Sequence, residues 1–387
     1  MKRKILSIVV LILFLLSYNV CADQEDSISW NKAVVKLDKN NNTLISMIDS
    51  ENQSKKQYDD AVKKSEKIET DGILIEIMGY TKFIKFNTYT QMLLTQQKEL
   101  LPEQMKLSWE INRSSRAITR NSMIIGLRGL YLGLYSADSN IKLEQKKYEL
   151  AEKIYQQQKI KYQRELISDL EYAEAEYNLS VAESALVASQ RNYENMLRSF
   201  NTYIGLEPNT AYDEVIFDEE YNDTRLKEPD YYVKRAFETR LDIFSAEKML
   251  SLDEHKKAIF DRFPYSMNTE SVKRDYEDLV LDIETRQMQL ESLKLEVEKG
   301  IRSAYVEVVA AGKNVVSMKK KLELQADSLK NTNELYKAGL ISKNVLDQAE
   351  ISYIVFENSY RSVLFDYNTR QIKLEYASGL GPAYQEG

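Results

Sequence analysis

Residues 162–168 read YQRELIS and residues 336–342 read YKAGLIS, so a related heptapeptide occurs twice, with Tyr162 matched by Tyr336. The same offset continues on both sides of it. The residues that match are Gly126, Arg128 and Tyr131 with Gly300, Arg302 and Tyr305, and Gly205, Leu206 and Pro208 with Gly379, Leu380 and Pro382. Because a constant offset over about 80 residues indicates duplicated structure, we predict a chain built from two similar halves.

Apolar side chains follow each heptapeptide at spacings that alternate between four and three residues. This pattern runs from Ala175 to Tyr203 in the first half and from Ala349 to Ala377 in the second, where Arg370 interrupts it. A mean spacing of about 3.5 residues is typical of α-helices that pack in a left-handed supercoil. We therefore predict one long helix from each segment.

Another helix is predicted before each heptapeptide, over about residues 123–163 and 296–337. In the second half, Gly339 can adopt the left-handed conformation that ends a helix. Ser168 and Ser342 can each cap the N-terminus of the helix that follows. Each half should thus contain a long antiparallel helical hairpin with a tight tip, and the fold class is all-α.

The composition supports few, long helices. The 387 residues include only 12 Gly and 5 Pro, the residues on which most turns depend. Charged residues make up 29% and hydrophobic residues 43% of the chain, which suits amphipathic helices. The formal net charge is −7, and no basic patch stands out, so nucleic-acid binding has little support.

The N-terminus has the pattern of an export signal. Three basic residues, Lys2 to Lys4, precede the apolar run Ile5 to Leu16, which is shorter than the ~20 residues that a membrane-spanning helix needs. Val20-Cys21-Ala22 then offers a cleavage site with small residues. In a rival interpretation, Cys21 carries a lipid anchor. In either case the chain is expected to cross the cytoplasmic membrane and reside in the cell envelope.

The repeat and one acidic stretch define the predicted organisation. The halves are joined by a segment that contains Pro208 and Pro229 and is rich in carboxylates, and each half opens with a helix, over 30–70 and 230–262. The predicted segments are a signal peptide over residues 1–22, a first helical repeat over 23–206, an acidic linker over 207–229, a second helical repeat over 230–381 and a short tail over 382–387.

The sequence offers few groups for catalysis. His255 is the only histidine, and beside Lys256 and Lys257 it is predicted to be a solvated surface residue. Cys21 is the only cysteine and would be lost with a cleaved signal. Zinc sites and activated nucleophiles therefore lack their usual groups, and we predict no enzymatic activity, no cofactor and no metal site.

Motifs in chain order resemble the TolC-like outer-membrane efflux proteins. Tyr336 to Ser342, Val345 to Ala349 and Ala377-Ser378-Gly379 resemble the second repeat of that family. Asn192-Tyr193 to Gly205-Leu206 resembles the end of its first repeat. Segments at Lys32 to Leu44 and at Arg235 to Ile243 resemble the two repeat openings, although Asn42 and Leu241 stand where the family often has proline.

This resemblance implies an exit duct. Three copies would pool their hairpins into a tube that passively carries small molecules or proteins out of the cell. The tips would contact a periplasmic adaptor protein, which links the tube to an inner-membrane pump. The alternative function is a structural or adhesive coiled-coil protein of the cell envelope without channel activity.

The sequence departs from the family in its membrane segments. Each family half inserts a β-hairpin that contributes to a membrane barrel, whose strands need about 9–11 residues of alternating polarity. Residues 260–276 in the second half are short, charged and not alternating. Ile73–Leu101 in the first half is predicted to be a helix that Pro102 stops. We therefore expect the barrel strands to be absent or vestigial, and membrane association stays open.

Two sets of tip residues are candidate functional sites. The candidate adaptor-docking residues are Glu165, Leu166, Ile167, Ser168, Gly339, Leu340, Ile341 and Ser342, because apolar side chains at an exposed turn can mark a docking surface; they could equally cap the core of their own hairpin. The candidate residues for an acidic ring that constricts the pore in a trimer are Asp169, Glu171 and Asp347. Stabilisation of a helix N-terminus is the simpler role for these carboxylates.

Overall fold

The computed structural model describes residues 24–25, 27–222 and 226–382. The predicted signal peptide, including Cys21, lies outside the described residues, as does the predicted tail beyond Pro382. None of the described helices has an apolar stretch long enough to cross a membrane.

Long α-helices dominate the described residues, as the sequence predicts. The helices are α1 (Trp30–Asn40), α2 (Asn42–Glu66), α3 (Thr88–Gln163), α4 (Asp169–Tyr203), α5 (Pro229–Thr239), α6 (Leu241–Arg262), α7 (Glu270–Lys337) and α8 (Lys343–Ala377). The pairs α3–α4 and α7–α8 are the two predicted hairpins. Helices α3 and α7 begin well before the predicted starts at 123 and 296, so each includes an additional stretch of its half.

The opening helix of each half is interrupted, contrary to the prediction of single helices over 30–70 and 230–262. Asn41 separates α1 from α2, and Arg240 separates α5 from α6, both in extended conformation. The Asn41 Nδ2 donates a hydrogen bond to the Tyr203 carbonyl (3.2 Å), and the Arg240 Nη1 donates one to the Ala377 carbonyl (2.8 Å). Because Tyr203 and Ala377 are matching positions of the repeat, the two halves hold their interruptions in equivalent ways.

The prediction of a helix over Ile73–Leu101 is wrong for the first part of this segment. Strands β2 (Gly72–Ile77) and β3 (Tyr80–Lys85) form an antiparallel hairpin there. Met78 and Gly79 turn the chain with φ of 52° and 82°, the two positive values that a two-residue hairpin loop of type I′ requires. The β-branched residues of β2 favour a strand.

Pro102 does not stop the helix that follows. It lies inside α3, which runs without interruption from Thr88 to Gln163. A proline inside a helix removes one backbone hydrogen bond. The side chains of Leu100 and Leu107 on either side of it are buried, and burial of this kind favours a helix that continues across the proline.

The predicted linker contains little regular structure among its described residues. Strand β4 (Ala211–Tyr212) pairs in parallel with β1 (Gln24–Glu25), and an isolated bridge joins Ile28 to Val215. In the second half, a short 3₁₀ helix over Pro264–Asn268 connects α6 to α7, where the sequence predicts only a loop.

The described residues divide into two compact units, and each unit draws on both halves. The tip unit comprises the described residues up to Asn41 with Gly126–Tyr221 and Lys313–Asp366, and the hairpin unit comprises Asn42–Ile125, the described residues from Asn222 to Gly312, and those from Tyr367 onward. The hairpin unit has a core of Met92, Leu100, Ile259, Phe260, Val272, Leu279 and Ile283.

A buried arginine organises part of the tip unit. Arg128 is 2% exposed and pairs with the Glu219 carboxylate at 2.8 Å. Its guanidinium lies 4.9 Å from the ring centroid of Trp30 and 4.2 Å from that of Phe365. Ion pairing and cation–π contacts together offset the cost of burying this charge.

Candidate functional site

The first tip ends α3 with a reverse turn. The Leu166 N–H donates to the Lys161 carbonyl, and the Glu165 N–H donates to the Tyr162 carbonyl, both at 2.9 Å. Glu165 has a φ of 59°. This pair of bonds around one left-handed residue is the Schellman motif, which satisfies carbonyls at the end of a helix.

The second tip ends α7 in the same way. The Leu340 N–H donates to the Leu335 carbonyl (3.0 Å), and the Gly339 N–H donates to the Tyr336 carbonyl (2.9 Å). Gly339 has a φ of 73°, as its predicted role at the helix end requires. No such signal marks Glu165 in the sequence, although this residue takes the same left-handed conformation without being glycine.

The helices that leave the two tips begin differently. At α4, the Ser168 hydroxyl accepts from the Glu171 N–H, and the Glu171 carboxylate accepts from the Ser168 N–H at 2.8 Å. These reciprocal bonds form a capping box. At α8, the carbonyl of Ser342 accepts from the Val345 N–H at 3.2 Å. Val345, the counterpart of Glu171, has no carboxylate, so the second tip cannot form this box.

Both tips expose a leucine and partly cover an isoleucine. The side chains of Leu166 and Leu340 are 68% and 71% exposed, whereas Ile167 and Ile341 are half-buried. The leucines thus match the docking interpretation, and the isoleucines partly match the interpretation as caps of the hairpin core. Leu170, in the first turn of α4, is also exposed. The sequence could have identified it, because it is an apolar residue that lies outside the 4–3 spacing of the packed residues.

Each candidate ring carboxylate has a partner in its own chain. The Tyr162 hydroxyl donates to Asp169 at 2.8 Å. Hydrogen bonds from the Ser168 backbone and hydroxyl hold the pKa of Glu171 below its usual value. Burial raises the pKa of Asp347, but hydrogen bonds from Lys343 and Lys153 outweigh burial and lower it.

Contacts between α3 and the start of α8 fix the second tip within its unit. The Lys153 ammonium lies 2.9 Å from the Asp347 carboxylate, and the Asn344 Nδ2 donates to the Gln157 side chain at 3.0 Å. Beside these polar contacts is an apolar cluster formed by Leu143, Leu150 and Ile351.

His255 keeps 31% of its side-chain exposure, and it has carboxylate partners that its lysine neighbours in the sequence do not indicate. It is half-buried in the hairpin unit, and its Nε2 and Nδ1 lie 3.0 Å and 3.1 Å from the carboxylates of Glu99 and Glu103 on α3. Burial lowers the pKa of His255, but the hydrogen bonds to Glu103 and Glu99 outweigh burial and raise it. Across the part of the chain that the structure describes, no group of three or more His, Cys, Asp or Glu residues could hold a metal ion.

Comparisons with known proteins identify the fold. No protein-family model matches the sequence, and no curated protein matches it significantly. The outer-membrane channel OprN is 14% identical with a TM-score of 0.61, over 92% of this chain and 91% of that one. The CmeC outer membrane channel of Campylobacter jejuni is 15% identical with a TM-score of 0.60, over 92% and 87%.

A third similar structure is the open state of the MtrE outer membrane channel of Neisseria gonorrhoeae, which is 14% identical with a TM-score of 0.59, over 92% and 91% of the two chains. These solved structures are channels of the outer membrane. The chain therefore has the TolC-like, all-α fold that its duplicated heptapeptide and ordered motifs predict.

Proposed function

We propose that this chain is one protomer of a homotrimeric exit duct in the cell envelope, which passively conducts small molecules or proteins supplied by a pump. The observation that carries the proposal is the duplicated tip. Leu166 and Leu340 occupy matching positions of the repeat, follow equivalent left-handed residues and are exposed to nearly the same extent. The channel fold of the similar structures supports the same function.

The tips have the properties of a docking surface for a periplasmic adaptor protein. Each leucine projects from a turn whose backbone is already held by two hydrogen bonds. A preorganised turn loses little conformational entropy when a partner binds, so burial of the leucine contributes more of its free energy to affinity. Glu165, Ile167, Ser168, Gly339, Ile341 and Ser342 would support the two leucines in this role.

The acidic ring belongs to the same proposal. In a trimer, Asp169 and Glu171 would each occur three times, and both are exposed. Rings of carboxylates favour cations over anions in a pore. Asp347 would contribute less, because Lys153 and Lys343 lie 2.9 Å from its two oxygens and compensate its charge.

Photo-crosslinking in the native cell tests the docking function. A photoreactive amino acid replaces Leu340, and a matched variant carries it at Leu295, an α7 residue with a similar exposure of 69%. We expect capture of an adaptor or pump subunit from position 340 and not from position 295. Capture of only the same chain or of wall material from position 340 would instead support a structural coiled-coil protein.

A further inference from the structure

His255 on α6 faces two carboxylates of α3 in the hairpin unit. Its Nε2 lies 3.0 Å from a carboxylate oxygen of Glu99, and its Nδ1 lies 3.1 Å from one of Glu103. The two glutamates are four residues apart and therefore occupy one face of the helix. We call these three residues the histidine bridge. Since α3 belongs to the first half of the repeat and α6 to the second, the bridge joins the two halves within this unit.

The geometry of the bridge specifies the charge on His255. A neutral imidazole has one donor and one acceptor nitrogen, whereas an ionised carboxylate only accepts hydrogen bonds. Two carboxylates can therefore be bound together only by the imidazolium. Burial lowers the pKa of His255, but the hydrogen bonds to Glu103 and Glu99 outweigh burial, so the pKa lies above its ordinary 6.5.

Arg262 determines which of the two bonds depends on pH. Its Nη1 and Nη2 donate to the two oxygens of Glu99 at 3.0 Å and 2.5 Å, and these bonds lower the pKa of Glu99 below its ordinary 4.5. Glu99 thus stays ionised near neutral pH and continues to accept from Nε2. When His255 loses one proton, the other stays on Nε2, and the lone pair of Nδ1 then faces the Glu103 carboxylate.

Other charged groups around His255 have partners of their own. The Lys257 ammonium lies 3.0 Å from Asp261 on α6, and Arg286 of α7 pairs with Asp253. The pKa of His255 responds to burial and to its two glutamates, and not to these groups. The same holds for the further titratable residues of α6 and α7 in this region, which are Glu254, Lys256, Asp275, Tyr276, Asp278 and Asp282.

We propose that the histidine bridge is a pH-sensitive contact between the two halves of the chain. As imidazolium, His255 binds Glu99 and Glu103 together and holds α6 against α3. The neutral imidazole releases Glu103, and only the bonds to Glu99 remain. His255 is the only histidine in the sequence, so the duplication supplies one such contact and not two. This property belongs to the hairpin unit and does not depend on docking at the tips.

The sign of the pH dependence follows from the two pKa shifts. Because the pKa of His255 is raised above 6.5, its contribution to stability is complete below 6.5 and is lost as the pH rises through the folded pKa. Because the pKa of Glu99 is lowered below 4.5, its contribution is present above 4.5 and is lost as the pH falls through the folded pKa. The bridge is therefore strongest between about pH 4.5 and 6.5 and weakens as the pH rises further.

Nuclear magnetic resonance of the full chain, labelled at histidine and purified without a histidine tag, tests the bridge at a single residue. We expect the pKa of His255 to lie above 6.5, and the neutral form to carry its proton on Nε2. Glu103→Gln should lower this pKa, because it removes the charge that faces Nδ1. Glu254→Gln, which removes an exposed carboxylate beside His255 along α6, is the matched control and should leave it nearly unchanged. A pKa at or below 6.5, or equal effects of the two variants, would refute the bridge.

Hydrogen exchange measures whether this titration loosens α6. After correction for the intrinsic pH dependence, the α6 amides around His255 should exchange about two- to fivefold faster at pH 8 than at pH 6, as expected for partly exposed ion pairs. His255→Lys keeps its positive charge at both pH values and should lose this difference. Equal exchange at the two pH values in the unchanged chain, or a difference that persists in His255→Lys, would overturn the proposal. Adaptor capture at Leu340 is independent of either result.

Discussion

The two tips have the same backbone conformation and differ in the residue that occupies its left-handed position. Glu165 and Gly339 both have a left-handed conformation, with φ of 59° and 73°, and both turns are closed by the same two hydrogen bonds. For a residue with a Cβ, this conformation costs about 1–2 kcal/mol, and for glycine it costs little. The duplication has thus preserved the hydrogen-bonding pattern of the turn while the first tip accepts local strain.

The largest effect should come from replacing the glycine at the left-handed position of the second tip. Gly339→Ala introduces a Cβ in the left-handed conformation. Apart from the two neighbouring residues of the chain, no atom lies within 4 Å of that Cβ position, so the loss comes from the backbone conformation and not from a clash. We expect the second tip to open more readily by about 1–2 kcal/mol, measured by hydrogen exchange of its amides. Glu165→Ala is the matched control, since both residues carry a Cβ, and should change the first tip little. Equal losses at both tips would show that glycine is not what distinguishes the two turns.

The capping box should give the next largest difference between the tips. Ser168→Ala removes the hydroxyl that accepts from the Glu171 N–H, and the start of α4 should lose about 1 kcal/mol. Ser342→Ala should cost less, because Ser342 receives the Val345 N–H through its backbone carbonyl. Exchange rates of the first-turn amides of α4 and α8 measure both. A larger loss at α8 would contradict the assigned caps.

The opposite substitution, which introduces glycine, should stabilise the first tip. Glu165→Gly removes the strain of a left-handed glutamate, although glycine also gains entropy in the unfolded chain. We expect a net gain of about 0.5–1 kcal/mol, seen as slower exchange of the Leu166 amide. No change, or faster exchange, would mean that the Glu165 side chain makes a favourable contribution that offsets its backbone strain.

Salt should distinguish the carboxylates of the two tips. Asp347 is held by two lysine ammonium groups, whereas Glu171 is held by the backbone and hydroxyl of Ser168. Because added salt screens ion pairs between charged side chains, it should weaken the α3–α8 contact at Asp347, by about 0.5 kcal/mol for partly exposed pairs. Asp347→Asn should abolish that salt dependence. If the salt dependence is unchanged in this variant, it arises from other charges.

Acid should affect both tips in the same direction. The pKa of Glu171 lies below its ordinary 4.5, and that of Asp347 below 3.8. A lowered pKa in the folded state contributes stability that is present above the unfolded pKa and is lost as the pH falls through the folded pKa. Exchange at each tip, corrected for the intrinsic pH dependence, should therefore accelerate relative to neutral pH as the pH falls below about 4. Glu171→Gln should remove this acceleration from the first tip only.

The sequence predicted what the repeat could show. The constant offset of the repeat located both hairpins and both tips, and glycine at position 339 identified the left-handed residue of the second tip. The sequence could not identify Glu165 as the left-handed residue of the first tip. Two hydrogen bonds of the turn impose that backbone conformation, which glutamate does not prefer. The capping box is only half visible in the sequence: Ser168 is predicted as a cap, and Glu171 is predicted either as a ring residue or as a carboxylate that stabilises the helix N-terminus, but the reciprocal bonds between the two are not predicted.

Other features depended on tertiary contacts that one sequence does not display. The β2–β3 hairpin was missed because its apolar residues also fit a helical interpretation of a short segment. His255 was interpreted from its lysine neighbours, while its partners Glu99 and Glu103 lie on α3, far away along the chain. The interruption at Asn41 likewise depends on a carbonyl at Tyr203.

The surroundings of Arg128 have a consequence for the order in which the chain assembles. Its two aromatic neighbours, Trp30 and Phe365, come from opposite ends of the described sequence, and its carboxylate comes from the segment between the halves. A first half that emerges alone supplies Trp30 but neither Glu219 nor Phe365. The charge can be fully enclosed only after the second half has arrived, so completion of this cluster reports that the whole duplicated chain is present.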